Sequence, residues 1–268
     1  MPPGTDSGPA PDRQGSTRSS GRVPARVAAI VPAKDEADRL AATLDALAQI
    51  DSVDLVVVVD DGSTDGTLRI ANLRGVQTVK HQTNLGKAQA MTSGAKVVSL
   101  LEAQDGGPFQ TGNPRALLFV DADLEDSARH LDVLCVPVVN GEADMAIATL
   151  PPQKTAGGGF GLVVRLARDG IARLAGREMA QPLSGMRCLT REAFESALPL
   201  AKGWGVEVGL TVDVLRGGGR VVEVPVELHH RVTGRDLRSQ LHRARQYRDV
   251  RRALRARSRA TSRVPQTS

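Results

Sequence analysis

The sequence predicts an α/β fold: a mostly parallel, Rossmann-like sheet with helices on both faces. Short aliphatic runs of strand length alternate with segments of helical periodicity, the order that builds βαβ units. The runs are apolar on consecutive residues, as strands buried between two helical layers are. Several of them end in a polar cluster, and open parallel sheets bind ligands beyond the carboxyl ends of their strands.

Each element has its own reason. Residues 27–31 (VAAIV) form the first strand, stopped near Pro32. Leu40, Leu44, Leu47 and Ile50 repeat at helical spacing, so residues 38–50 are a helix. Residues 55–59 are a β-branched second strand ending in the turn Asp60-Asp61-Gly62-Ser63, and Ser63 or Thr64 is expected to cap a helix starting near Asp65. Residues 76–80 are a third strand and 87–101 a helix. Residues 116–120 are a further buried strand closed by Asp121-Ala122-Asp123. A helix over 128–139 is broken or kinked by Pro137, and 143–148 is another strand. Residues 151–161 form a Gly-rich, polar loop, and 160–175 an amphipathic helix. A helix near 191–198, the segment 203–215 and a strand at 220–228 follow. From Leu237 the chain is helical and Arg-rich, with ten arginines between residues 238 and 263.

Composition narrows the function classes. The 268 residues are 41% hydrophobic, enough for a core. One Trp, one Tyr and four Phe are too few for a base-stacking platform, so no nucleic-acid partner is expected despite the net charge of +5. Cys135 and Cys188 lack zinc-ligand spacing and are too few for a disulfide scaffold, which suits a reducing cytoplasm. Aliphatic runs such as 55–59 and 116–120 are far short of the roughly 20 residues of a membrane span. Residues 1–24 are Pro-, Gly- and Ser-rich, carry no apolar leader core, and are expected to be a disordered tail.

Four clusters carry chemistry. Asp121 and Asp123 at i and i+2 can both reach a divalent ion, and hard oxygen donors suit Mg²⁺ or Mn²⁺. Asp60-Asp61-Gly62-Ser63 can accept hydrogen bonds from a base or ribose, or be turn chemistry alone. Pro32-Ala33-Lys34-Asp35-Glu36 follows the first strand. Asn84-Leu85-Gly86-Lys87 opens a helix, where the N-terminus favours anions and Lys adds a cation.

In order and spacing, "AAIVPAKDE", "VVVVDDGSTDGT", "NLGKAQAM" and "LLFVDADL" resemble glycosyltransferase family 2 and its relatives of the GT-A, or nucleotide-diphosphosugar transferase, fold. The resemblance is strong over residues 27–124 and weaker to about 237. It implies a GT-A domain over 25–237, with a nucleotide-sugar-binding half (25–150) and an acceptor half (151–237) as a C-terminal extension. Residues 238–268 would be an Arg-rich tail, helical or disordered. Pro32, Ala33 and Glu36 would line the nucleoside pocket and Asp61 would bind the base. Gly86 and Lys87 would flank the nucleoside or its phosphates. Asp121 would contact ribose or metal, and Asp123 would be the main metal ligand and part of the catalytic set. "GWGVEVGLTVD" and "VPVELHH" look like glucosyl-3-phosphoglycerate synthases and related enzymes of the fold. That likeness implies Glu207 near the reacting centre and His229 as third metal ligand, with His230 as the other register. Ser184-Gly185-Met186-Arg187 resembles their acceptor segment, Gly185 allowing backbone approach and Arg187 binding an anionic group.

The expected activity is metal-dependent, non-processive transfer of a hexose from a nucleoside-diphosphate sugar, UDP-sugar favoured, with Mg²⁺ or Mn²⁺ as cofactor. The acceptor would be a phosphorylated small molecule or a polyprenyl phosphate, the latter with peripheral contact at the inner membrane face. If the outcome inverts, Glu207 is the first candidate base and Asp213 the second; a retaining outcome needs none. A homodimer is compatible with the sequence. The alternatives are a sugar nucleotidyltransferase, whose Gly-rich loop after the first strand is missing in "PAKDE", and a non-catalytic anion- or membrane-binding module on the same scaffold.

Overall fold

A computed structural model describes residues 26–104, 114–150, 160–228 and 237–261. The expected tail over 1–24 and all but the end of the expected 151–161 loop lie outside these residues, as do His229 and His230.

Among the described residues, seven strands form one sheet in the order β3-β2-β1-β4-β6-β5-β7. They are β1 (Val27–Ala33), β2 (Val53–Asp60), β3 (Gln77–Lys80), β4 (Ala116–Phe119), β5 (Met145–Thr149), β6 (Arg187–Leu189) and β7 (Val221–Pro225). β1, β2, β3 and β4 run parallel, with Pro32 opposite Val59 and Ala33 opposite Asp60. β6 is antiparallel to both β4 and β5, and β7 is parallel to β5. The sheet is thus mostly parallel, with one reversed strand in its middle.

The helices are α1 (Ala37–Leu47), α2 (Thr67–Leu73), α3 (Lys87–Gln104), α4 (Asp132–Val139), α5 (Phe160–Ala175), α6 (Arg191–Ser196), α7 (Val206–Arg216) and α8 (Leu237–Thr261). A 3₁₀ segment at Glu125–Leu131 leads into α4, so the predicted 128–139 helix is α-helical only from Asp132.

Strand side chains alternate between faces, and the two faces feed two cores. Ala28, Ile30, Val57, Val59, Leu117 and Phe119 pack into one layer with residues of α3, α5, α7 and α8. Val27, Ala29, Val31, Val58 and Leu118 face the other, with α1 and α4. Both sides of β1 are buried, which is why its sequence is an unbroken aliphatic run. Gly94 of α3 lets that helix sit close to the sheet: a Cβ there would stand 2.4 Å from Ile30 Cγ2.

Within the Arg-rich segment, helix α8 packs against α5 and α7. In α8, Val250, Ala253 and Leu254 are buried. Leu254 lies over Gly170 of α5, where a Cβ would come within 2.3 Å of Leu254 Cδ1. Arg257 Nε donates to Asp213 Oδ1 of α7 at 2.8 Å. Arg245, Arg248, Arg251, Arg252, Arg255 and Arg259 face solvent, while Arg257 and the apolar residues anchor the helix.

Candidate active site

The carboxyl ends of β1, β2, β3 and β4 form one edge, and the polar clusters gather there. The β1 and β2 loops are clasped together. Asp35, with φ of 55°, receives the Thr64 N–H on Oδ1 at 2.7 Å, and its own N–H donates to Ser63 Oγ at 3.0 Å. The bonds from Thr64, with an ion pair to Lys34, hold the Asp35 carboxyl at a pKa of about 2. Ser63 and Thr64 were expected to cap α2; they bind across to the neighbouring loop instead. The start of α2 is served by Asp65, whose Oδ1 accepts the Thr67 N–H at 2.9 Å. Glu36, at the start of α1, is ion-paired with Arg39. Ala33 is buried and Pro32 half-buried beside it.

Asp61 is only 6% exposed. Its Oδ1 accepts the Leu85 N–H and its Oδ2 the Gly86 N–H, both at 2.8 Å. His81 Nδ1 lies 2.8 Å from the same Oδ1, and His81 Nε2 lies 3.0 Å from Ser93 Oγ. A carboxylate partner selects the tautomer in which Nδ1–H donates and Nε2 accepts. Asp61 thereby fixes the loop before α3, where Gly86 needs its φ of +90°. His81 was not foreseen; its place just after β3, on the ligand edge of the sheet, is the signal that could have found it.

Lys87, the first residue of α3, reaches across the edge. Its Nζ donates to Asp121 Oδ1 at 2.7 Å and stands 3.3 Å from Glu207 Oε1 of α7. Desolvation opposes the ammonium charge, but Asp121 and Glu207 outweigh it, so the Lys87 pKa is raised. Gly185 lines the same spot: a Cβ there would be 2.6 Å from Lys87 Nζ and 3.1 Å from Asp121 Oδ2. The reversal of β6 explains this meeting. An antiparallel strand beside β4 begins where β4 ends, so the residues before Arg187 arrive at Asp121.

The structure therefore brings together Lys87, Asp121, Gly185 and Glu207 from four distant stretches of chain. Asp123 is half-buried two residues beyond Asp121, and the Arg39 guanidinium feels its charge. Arg187 is not brought to the surface of this cleft. It is 1% exposed, and its terminal nitrogens donate to the backbone carbonyls of Ser184 at 2.5 Å and Glu207 at 3.1 Å. Burial pushes the Arg187 guanidinium down to about 10, against the pull of Glu207 and Asp121. It braces the Gly185 turn against α7 from beneath. Asp213 points away from the cleft and pairs with Arg257.

The cleft thus sets the Lys87 ammonium, at the N-terminus of α3, against the carboxylates of Asp121 and Glu207. No three His, Cys, Asp or Glu side chains form a metal-holding group among the described residues.

A model of glycosyl transferase family 2 matches residues 28–196, and the chain belongs to that family. Among its relatives, glucosyl-3-phosphoglycerate synthase of Mycolicibacterium paratuberculosis is 28% identical over 214 residues, covering 70% of this chain and 59% of that protein. Glycosyltransferase AglJ of Haloferax volcanii is 27% identical over 189 residues, covering 68% of this chain and 56% of that protein. The chain thus spans less than two thirds of both relatives. Among solved structures, glucosyl-3-phosphoglycerate synthase from Mycobacterium tuberculosis in complex with Mn²⁺ and UDP-glucose superposes with a TM-score of 0.67 at 25% identity, covering 92% of this chain and 82% of that one. The complex of that enzyme with phosphoglyceric acid gives a TM-score of 0.66 at 26% identity, with the same coverages.

Proposed function

We propose that the protein transfers a hexose from a nucleoside-diphosphate sugar, with UDP-glucose as donor, to a small phosphorylated hydroxy acid, using Mn²⁺ or Mg²⁺. The observation that carries this reading is the convergence of Lys87, Asp121, Gly185 and Glu207 on one point of the sheet edge. The choice of donor and acceptor follows the relative crystallised with UDP-glucose and with phosphoglyceric acid. The two buried free thiols, Cys135 and Cys188, suit a cytoplasmic setting.

The donor set fits a divalent ion: Asp121 and Asp123 supply hard oxygens at the rim of the cleft. The remaining ligand would be His229. When bound, the ion supplies charge neutralisation for the leaving diphosphate. The chain's own residues do the rest. The backbone at Pro32 and Ala33 and the loop fixed by Asp61 form the nucleoside side. Lys87 meets the phosphates, and its raised pKa keeps it charged throughout the neutral range. Gly185 leaves room for the acceptor to approach. Glu207, 8% exposed and beside Lys87, orients the acceptor hydroxyl and takes its proton if the reaction inverts.

The deciding experiment measures UDP release from UDP-glucose with Mn²⁺ and 3-phosphoglycerate, for wild type and Asp123→Ala. Release that depends on metal, on acceptor and on Asp123 supports the reading. Wild-type binding of UDP-glucose indifferent to Mn²⁺, or undiminished activity of Asp123→Ala, would sink it.

A further inference from the structure

We infer that Lys87 is a resident counter-ion of the acidic site: its ammonium fills the place between Asp121 and Glu207 until a diphosphate draws it away, so that metal and nucleotide load as a coupled pair. The inference rests on the metal-dependent reading above and concerns the order in which the site fills.

Geometry makes the ammonium a tenant rather than a bystander. It touches both carboxylates, at 2.7 and 3.3 Å, and the Gly185 backbone closes the space behind it. A side chain at residue 185 would evict it. The Lys87 side chain is 28% exposed, so an anion in the cleft can reach the ammonium. Lysine is a compact charge on a flexible four-carbon stem, able to swing between partners without rearranging the backbone. Below the pair, the buried Arg187 guanidinium adds a second cation to the field of Asp121 and Glu207. Asp123 meanwhile sits in the field of Arg39. Each motif acid already faces positive charge before any metal arrives.

A divalent ion entering alone must approach Asp121 against that ammonium. A nucleoside diphosphate removes the obstacle, because its phosphates offer Lys87 a new partner and free the Asp121 oxygen. Coupling of this kind is reciprocal: whatever factor the nucleotide contributes to metal affinity, the metal returns to nucleotide affinity.

The test is a titration of Mn²⁺, followed by the electron paramagnetic resonance signal of the free ion, with and without UDP. Wild type should bind Mn²⁺ weakly alone and about 10- to 100-fold more tightly with UDP, within the usual range of site–site coupling. Lys87→Met, and the polar variant Lys87→Gln, should bind Mn²⁺ about tenfold more tightly than wild type in the absence of nucleotide, with a correspondingly smaller gain from UDP. The tightening in the absence of nucleotide should vanish in Lys87→Met/Asp121→Asn, and should be missing in Lys96→Met, which removes an exposed charge from the same helix and should keep the wild-type response to UDP. Thermal melts identify which variants fold. If folded Lys87→Met and Lys87→Gln bind Mn²⁺ as wild type does, or no better than Lys96→Met, while UDP still recruits the ion, the counter-ion idea is overturned and the transferase reading stands. If Mn²⁺ fails to bind even with UDP, the metal reading falls and takes the inference with it.

Discussion

Asp61 holds Gly86. The carboxylate at the end of β2 accepts the backbone N–H of Gly86 at 2.8 Å, and that of Leu85 at 2.8 Å, pinning the entry to α3. The residue after Gly86 is Lys87, so the position of the cleft's ammonium depends on a bond made one loop away.

Replacing that acceptor should loosen the loop. In Asp61→Asn one carboxylate oxygen becomes an amide donor facing a backbone donor. Hydrogen bonds to a charged group contribute about 1.5–3 kcal/mol, so urea denaturation should show a loss of roughly 2 kcal/mol. The donor KM should rise about tenfold, the equivalent of 1.4 kcal/mol of binding. Unchanged stability would mean these bonds do not anchor the loop.

Gly185→Ala tests the crowding at the cleft floor. The added methyl would meet Lys87 Nζ at 2.6 Å and both Asp121 oxygens within 3.2 Å. Activity should fall by at least about tenfold, since small misplacements of reacting groups are costly. The melting temperature should move little, because a flexible side-chain tip is what gives way. Wild-type kcat/KM in this variant would place the chemistry elsewhere.

Glu207→Gln separates charge from shape. The amide keeps the size of the side chain and loses the negative charge 3.3 Å from Lys87. A proton-transfer role predicts a drop in kcat of about 10²- to 10⁴-fold, with donor affinity nearly retained. A purely orienting role predicts a smaller loss shared between kcat and acceptor KM. Single-turnover rates with both substrates distinguish the two.

Glu102 is a stability prediction at the opposite edge of the sheet. Its side chain is fully buried, and its two oxygens meet Arg115 at 3.4 Å and Arg191 at 3.2 Å. Removing one member of a buried ionic cluster typically costs about 3–5 kcal/mol, and Glu102→Ala should lose that much in guanidinium unfolding. Turnover of the folded fraction should be unaffected, because the cleft lies at the other end of the strands. A loss below 1 kcal/mol would refute the structural role.

Asp35 predicts behaviour in acid. Its folded pKa of about 2 lies below the ordinary 3.8, with the Thr64 N–H as the largest cause. A depressed carboxyl stabilises the folded state fully above the ordinary value and loses that contribution as pH falls toward the folded one. The clasp between the β1 and β2 loops should therefore weaken between pH 3.8 and about 2. Asp35→Asn should flatten that part of the stability profile, read by denaturation at fixed pH steps.

Parallel strands and their helices were legible because burial on both faces writes an aliphatic run, and β1, β2 and β4 are such runs. The convergence of Lys87, Asp121, Gly185 and Glu207 followed from a family resemblance, since their spacing along the chain says nothing of their meeting. β6 was not legible: three residues starting with Arg187 carry no strand period, and only the buried partners of that arginine explain its tolerance. Arg187 received an anion-binding role from the likeness of its segment to an acceptor segment, and its burial under α7 leaves no mark in the sequence. Ser63 and Thr64 looked like helix caps because a cap and a loop clasp use the same hydroxyl chemistry. The Arg-rich end of the chain looked solvated because charge dominates its average, although every third or fourth residue is small or apolar.

The family match ends at residue 196, the last residue of α6. A truncation drawn to that boundary would discard β7 and strip β5 of its outer neighbour, inviting strand-to-strand aggregation. It would also remove Leu254 from above Gly170 and take Glu207 from the cleft. Recombinant versions should therefore run through Thr261, with any affinity handle placed beyond the end of α8.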